Sequence, residues 1–74
     1  MTLPEIAKQH IVNGMGTTCF SRPSRYVAYA FKDGLFCWFA PEDKVFNLRG
    51  KSAIHASDII AEDWFLCDTK GEPI

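Results

Sequence analysis

The sequence predicts an α+β fold: an N-terminal helix packed on a small twisted antiparallel sheet, with a short second helix before the last strand. Three observations predict it, namely an apolar helical stripe in residues 3–11, strand-like runs on both sides of an Asp-Gly pair, and an N-cap followed by acids at residues 57–63. The 74 residues, 47% hydrophobic and 23% charged, fit a single domain over residues 1–74 with a thin core.

The opening segment "MTLPEIAKQHIVNGMG" predicts the first helix. Thr2 can cap it, Glu5 stands three residues later as in a capping box, and Gly14 is placed to end it. One helical face is apolar, formed by Leu3, Ile6, Ala7 and Ile11. His10 falls at the edge of this stripe, where we expect a packed histidine rather than a catalytic one.

The middle of the chain predicts a β-hairpin. Strands are expected at 17–20, 25–32 and 35–40, with a turn at 21–24 and a two-residue turn at Asp33-Gly34. The run "VFNL" (45–48) could add an edge strand. Both faces of the hairpin are apolar, so we expect the helix to cover one face and a partner subunit to cover the other. The prediction is therefore a homo-oligomer, either a dimer or a tetramer.

The segment "SDIIAEDWFLCD" (57–68) predicts a capped short helix that leads into the last strand. Ser57 is the expected N-cap, and Asp58 and Glu62 would share a helix face. The acids could also suggest a catalytic or metal site, but no DxDxDG loop accompanies them. The tail 69–74 carries no structural signal and is expected to be flexible.

Composition narrows the function classes. Three cysteines without a CxxC pair and two scattered histidines predict neither a metal site nor a disulfide framework, and we expect buried cysteines in a reduced cytosolic protein. No apolar run approaches a membrane span, and a net charge of −1 does not favour nucleic acid. No GxSxG or other nucleophile motif is present, so we expect no catalytic residues, no cofactor and no enzymatic activity.

The stretch "CFSRPSRY" (19–26) is the strongest candidate for binding chemistry. It combines two arginines, two serines and flanking aromatic rings, and arginine forks grip phosphates while aromatic faces stack on bases. Such a combination suits a nucleotide. A solvated turn that only keeps the protein soluble remains the alternative at this point.

The octet "SDIIAEDW", following a helix, an "RPS" turn and a "DG" hairpin, resembles the C-terminal signature of a family of small phage and prophage proteins, close to "SQxDLLAEDW". That family includes a Thoeris anti-defence sponge, which holds a cyclic ADP-ribose signal uncleaved in pockets between the subunits of a homo-oligomer. This chain departs from the pattern in two places. It has "HASD" (55–58) where the family usually has a glutamine after the serine, and it has Tyr26 where tryptophan is common. It is also shorter between the hairpin and the final helix.

The resemblance implies an anti-defence sponge for a cyclic nucleotide-type immune signal, either a cyclic ADP-ribose isomer or a cyclic oligonucleotide, in the cytoplasm of the infected bacterium. The expected ligand-binding residues are Phe20, Arg22, Ser24, Arg25, Tyr26, Trp38, Ser57 and Asp58. The arginines would grip phosphates, the aromatic residues would stack, and the last two would bond ribose or base edges. The alternative is an inhibitor that binds a host protein through its acidic C-terminal face: residues 58–74 carry five acids and one lysine, net −4.

Overall fold

A computed structural model describes residues 1–23, 26–50 and 54–74 of the chain. The elements are α1 (Leu3–Val12), β1 (Thr17–Ser21), β2 (Ala28–Lys32), β3 (Leu35–Phe39), α2 (Ala56–Ile59) and β4 (Phe65–Leu66). The strands form one antiparallel sheet in the order β3-β2-β1-β4. The predicted α+β fold is confirmed, and neither described helix is long and apolar enough to cross a membrane.

Helix α1 begins with the expected capping box. The Thr2 N–H donates to Glu5 Oε1 at 2.8 Å, and the Glu5 N–H donates to Thr2 Oγ1 at 3.3 Å. The backbone hydrogen bond from Thr2 also lowers the pKa of the Glu5 carboxyl, because it favours the charged form. The helix buries Ile6 and His10 against the sheet, so the prediction of a packed histidine is confirmed.

The hairpin β2–β3 has the register that the sequence predicts. Asp33 and Gly34 have φ of 51° and 85°, the positive values that a type I′ turn requires at both positions, and Lys32 pairs with Leu35 directly before and after them. Strand β2 starts at Ala28 rather than at residue 25, and β3 ends at Phe39. The hairpin therefore has the predicted register, and β2 starts three residues later than predicted.

The two faces of the sheet carry two separate clusters. One joins α1 to the sheet through Ile6, Phe20, Tyr29 and Trp64. The other contains Cys19, Ala28, Ala30, Phe39 and Cys67.

Segments of the chain itself pack on the second cluster, and the expected partner subunit stays a prediction. Leu48 packs against this cluster, and the Phe46 ring lies 5.0 Å from that of Phe39. The expected edge strand at 45–48 does not form. The chain instead makes one bridge, Trp38 with Arg49, and leaves Val45 76% exposed.

Helix α2 begins two residues earlier than predicted. Its N-cap is His55, in an extended conformation, and the Asp58 carboxylate accepts the His55 N–H at 3.2 Å. Ser57 is thus inside the helix, and its assignment as the N-cap is wrong. The helix ends at Ile59, before Glu62, so the expectation that Asp58 and Glu62 share a helix face is also wrong.

The C-terminal residues fold back along β4, whereas the sequence carried no signal for structure there. Asp68 accepts the backbone N–H groups of Lys70 at 2.8 Å and Glu72 at 3.0 Å, which closes a tight turn. The returning chain pairs Pro73 with Cys67 and donates the Ile74 N–H to the Leu66 carbonyl at 3.0 Å.

Candidate ligand-binding site

The two segments that the sequence analysis singled out meet at one cluster of charges, the Arg22 cluster, formed by Arg22, Asp58 and Asp63. Arg22 Nη1 donates to Asp58 Oδ1 at 2.5 Å, and Arg22 Nε donates to Asp63 Oδ1 at 2.7 Å. A longer bond of 3.4 Å joins Arg22 Nη2 to Asp63 Oδ2. The arginine of "SRPSRY" thereby bridges both ends of the octet "SDIIAEDW".

Each member of the cluster is positioned by a neighbouring element. Arg22 directly follows β1, and Asp58 lies in the first turn of α2. The backbone carbonyl of Asp58 accepts the Trp64 indole N–H at 2.9 Å. Since Trp64 is buried in the core, this bond anchors the whole segment between α2 and β4.

The side chains of the cluster become more exposed from Asp58 through Arg22 to Asp63. The Asp58 side chain is 1% exposed, that of Arg22 22%, and that of Asp63 52%. The hydrogen bond to Arg22 lowers the pKa of Asp63, and the bonds to Asp63 and then Asp58 raise the pKa of Arg22. One cation and two carboxylates leave a formal charge of −1, so the cluster by itself accepts hydrogen bonds better than it attracts phosphate.

Two exposed side chains are close in sequence to members of the cluster, Tyr26 to Arg22 and Ser57 to Asp58. Tyr26 is 89% exposed, which leaves its ring open to a stacking partner. Ser57 lies on the exposed surface of α2, next to Asp58 in the chain. Ser24 and Arg25, the other predicted ligand residues of this loop, lie outside the described residues.

The remaining two predicted stacking residues are in other environments. Phe20 is fully buried, with its ring 5.5 Å from Trp64 in an edge-on contact, so it shapes the core beneath the site. Trp38 lies on β3, which β2 separates from β1. Its indole N–H donates to the Gly50 carbonyl at 3.1 Å, and the Arg49 guanidinium lies 4.7 Å from its ring centre.

Asp63 is the member of the site that sequence reasoning missed. The sequence analysis treated Glu62 and Asp63 as structural acids, although Asp63 stands inside the octet beside Trp64. Its position in that octet was the available signal. Its partner is 41 residues away in the chain, so no local spacing could have identified the pair.

A cavity of about 500 Å³ lies elsewhere, where β4 leaves the edge of β1, and none of its lining residues belongs to the Arg22 cluster. Threonines 17, 18 and 69 are among the residues that line it, together with both buried cysteines. No group of three or more histidines, cysteines or acids in the described part of the chain is placed to hold a metal ion.

Comparisons with known proteins assign no family to the chain. No protein-family model matches it, and neither the curated proteins nor the solved structures contain a significant match.

Proposed function

We propose that this protein is a phage anti-defence sponge: it binds a cyclic nucleotide-type signal and sequesters it, uncleaved, in the cytoplasm of the infected bacterium. The observation that carries the proposal is the Arg22 cluster. It brings the basic aromatic loop 19–26 into direct contact with the octet 57–64, and these are the segments on which the family resemblance depends. Either segment alone would be an ordinary turn or a capped helix.

In this proposal, different residues bind different parts of the nucleotide. Asp63 and Ser57 are exposed acceptors for ribose hydroxyls or base amino groups. The exposed Tyr26 ring offers a stacking surface for a base. Arg22 orients Asp63, and phosphate binding is proposed for Arg25 because the Arg22 guanidinium is bonded to two carboxylates.

His10, one of the two histidines, has a structural role in the proposed sponge. His10 Nδ1 lies 2.8 Å from Thr18 Oγ1, and its Nε2 accepts the Gly34 N–H at 3.1 Å. Both ring nitrogens are therefore occupied by structural hydrogen bonds. A sponge of this kind needs no general base, because it acts by holding the free signal below the concentration that its effector requires.

A thermal-shift screen against cyclic ADP-ribose isomers, cyclic dinucleotides and cyclic trinucleotides tests the proposal. A ligand present at about 100 times its Kd stabilises a folded protein by about 2.7 kcal/mol, which corresponds to a Tm increase of about 10 °C for a domain of this size. Heat denaturation followed by chromatography then shows whether the ligand is released intact. A cleaved product would identify an enzyme, and no shift with any of these compounds would reject the proposal.

Variants separate the proposed contacts. Tyr26→Ala and Arg25→Ala should each reduce the ligand-induced shift while keeping the unliganded Tm. Lys8→Ala is the matched control, because it also removes one positive charge but does so on the exposed surface of α1. Equal shifts in Arg25→Ala, Tyr26→Ala and Lys8→Ala would reject the site even if the ligand binds elsewhere.

A second function, inhibition of a host protein, is favoured by a different surface. Ile59 and Ile60 are 52% and 80% exposed at the end of α2, close in sequence to the acids Glu62 and Asp63. Exposed isoleucines flanked by charge are typical of a protein contact. The same surface supports the proposed homo-oligomer, a dimer or tetramer.

Ile60→Asp distinguishes these outcomes. For a homo-oligomer, light scattering should give a smaller mass for the variant than for the wild type. For a host-protein inhibitor, both should have the mass of one chain, and only the wild type should retain a stoichiometric partner from host lysate. A wild-type protein that is monomeric and retains no partner would reject both uses of the surface.

A further inference from the structure

Cys19 lies in β1, and Cys67 directly follows β4 at the position where the β1–β4 register, continued by one residue, reaches Cys19. The register pairs Ser21 with Phe65 and Phe20 with Leu66, and the Cys67 N–H donates to the Cys19 carbonyl at 3.0 Å. Residues directly opposite in an antiparallel pair point to the same face. Both cysteines accordingly belong to the same core cluster, and both are free thiols.

The spacing of such a pair is suited to a covalent link. Directly opposite residues of an antiparallel pair have Cα atoms about 4.5–5.5 Å apart, and disulfides have Cα separations of about 4.4–6.8 Å. The third cysteine does not compete. Cys37 pairs with Ala30, which pairs with Cys19, so Cys37 lies two strands away, at about 10 Å.

The surroundings of the two cysteines favour uncharged forms of their sulfur atoms over thiolates. Burial raises the pKa of Cys19, and it raises that of Cys67 to about 12, with the neighbouring Cys19 as the second cause. A pair of thiolates, or a metal ion bound by them, would place charge in this apolar cluster. A disulfide is neutral and avoids that cost.

The cavity supplies a route to the thiols. Cys19 and Cys67 are 9% and 3% exposed, but both line the cavity of about 500 Å³ where β4 leaves β1. A small reagent can enter a space of this size. Cys19, the more exposed of the two, is the sulfur that an incoming reagent meets more readily.

We propose that Cys19 and Cys67 are a dithiol that a small disulfide oxidant such as oxidised glutathione converts, reversibly, into a cross-strand disulfide tying β4 to β1. The Cys19 thiolate attacks the glutathione disulfide, forms a mixed disulfide and releases one glutathione. The Cys67 thiolate then attacks the Cys19 sulfur and releases the second glutathione. Two protein thiols are oxidised, one glutathione disulfide is reduced to two thiols, and excess reduced glutathione reverses both steps.

The link would hold β4 against β1, and β4 lies directly after the octet that contains Asp58 and Asp63. Strand β4 has two residues and directly follows Trp64, so few backbone hydrogen bonds hold it. A disulfide here closes a loop that includes β2, β3 and α2. Closing so long a loop restricts the unfolded chain and should raise the Tm by about 15 °C.

Oxidation of a Cys37→Ser variant tests the proposal, because this variant keeps only the paired thiols. After incubation with oxidised glutathione at pH 8.5, we expect the mass of a single chain less two hydrogen atoms, no titratable thiol in denaturant and a Tm about 15 °C higher. Reduced dithiothreitol should restore the original mass and Tm. The reaction should speed up as pH rises, because the raised pKa values make thiolate scarce at neutral pH.

A Cys19→Ser/Cys67→Ser double variant is the control and should keep its Tm in the same oxidant. A Cys37→Ser protein that stops at the glutathione adduct, forms disulfides between two chains or keeps both thiols free after prolonged incubation would overturn the proposal. Loss of stability on oxidation would overturn it as well. Refolding in a glutathione redox buffer provides a second measurement that does not depend on access through the native cavity.

Discussion

Two buried polar side chains, His10 and Asp58, join distant parts of this protein in different ways. His10 is 2% exposed and Asp58 1%, so both are in the interior. His10 is part of a network of neutral groups, with Thr18 on one ring nitrogen and the Gly34 N–H on the other. Asp58 is paired with the cation Arg22, which continues outward to Asp63.

The difference separates a structural contact from a candidate site. The His10 network ends at uncharged groups, the Thr18 hydroxyl and the Gly34 backbone N–H, and it fixes α1 to β1 and to the hairpin turn. The Asp58 network ends at a carboxylate that is 52% exposed, so its outer half can exchange partners with a ligand. A buried polar residue thus points to function when its hydrogen-bond network ends at an exposed charged side chain.

The largest effect is expected at His10. His10→Ala removes a buried ring and leaves both Thr18 and the Gly34 N–H without their partner, so the free energy of unfolding should fall by about 3 kcal/mol. Urea denaturation followed by circular dichroism measures it. Thr18→Val removes one hydrogen bond at nearly constant volume and should cost about 1 kcal/mol. Equal stability of His10→Ala and wild type would show that the network contributes nothing.

A smaller effect is expected at Asp58. Asp58→Asn keeps the shape of the side chain but removes its charge from the bond with Arg22, at a cost of about 2 kcal/mol. Arg22 keeps Asp63 as a partner, which limits the loss. Adding ligand separates the two networks further. Asp58→Asn should weaken the ligand-induced Tm increase, and Thr18→Val should leave it unchanged. Equal weakening in both variants would remove the distinction between the two networks.

Gly34 tests the turn to which His10 is attached. Its φ of 85° is strained for any residue with a Cβ, and Gly34→Ala should cost about 1 kcal/mol. Asp33→Asn is the matched control, because asparagine also tolerates the φ of 51° at that position and should leave stability nearly unchanged. An unchanged midpoint in urea for Gly34→Ala would show that the turn does not hold the hairpin.

The sequence predicts some elements of the fold better than others, for physical reasons. The capping box, α1 and the Asp33-Gly34 hairpin depend on contacts within a few residues, so patterns of spacing identified them. The edge strand expected at 45–48 failed because two alternating apolar residues in that segment cover the second face of the sheet instead. Local alternation does not reveal which surface a side chain covers.

The candidate site was only half predictable for the same reason. The chemistry of Arg22 and Asp58 was visible in their motifs, but their mutual bond spans 36 residues, and phosphate binding was the natural assignment for an arginine whose partners were unseen. The start of α2 was missed because the capping bond runs from the His55 backbone N–H to the carboxylate of Asp58, which lies inside the helix. The sequence analysis expected Ser57 to be the cap. Tertiary charge pairing decides both features.

The smallest effect is the pH dependence that the exposed end of the Asp58 network should produce. Arg22 lowers the pKa of Asp63 below its ordinary value of 3.8, so the stabilisation is fully present above that value and is lost as pH falls through the lower folded-state pKa. Wild type should therefore be more stable than Asp63→Asn at neutral pH, and the two should converge in acid.

Glu5→Gln provides the matched measurement at α1, because the Thr2 backbone bond lowers the pKa of Glu5 with the same sign. Thermal melts from pH 7 to pH 2 at low salt measure both differences. They should add in the double variant, since the two carboxyls belong to separate networks. If Asp63→Asn stays parallel to wild type throughout the acid range, Arg22 does not hold Asp63 in solution, and the surface end of the site is less ordered than the geometry indicates.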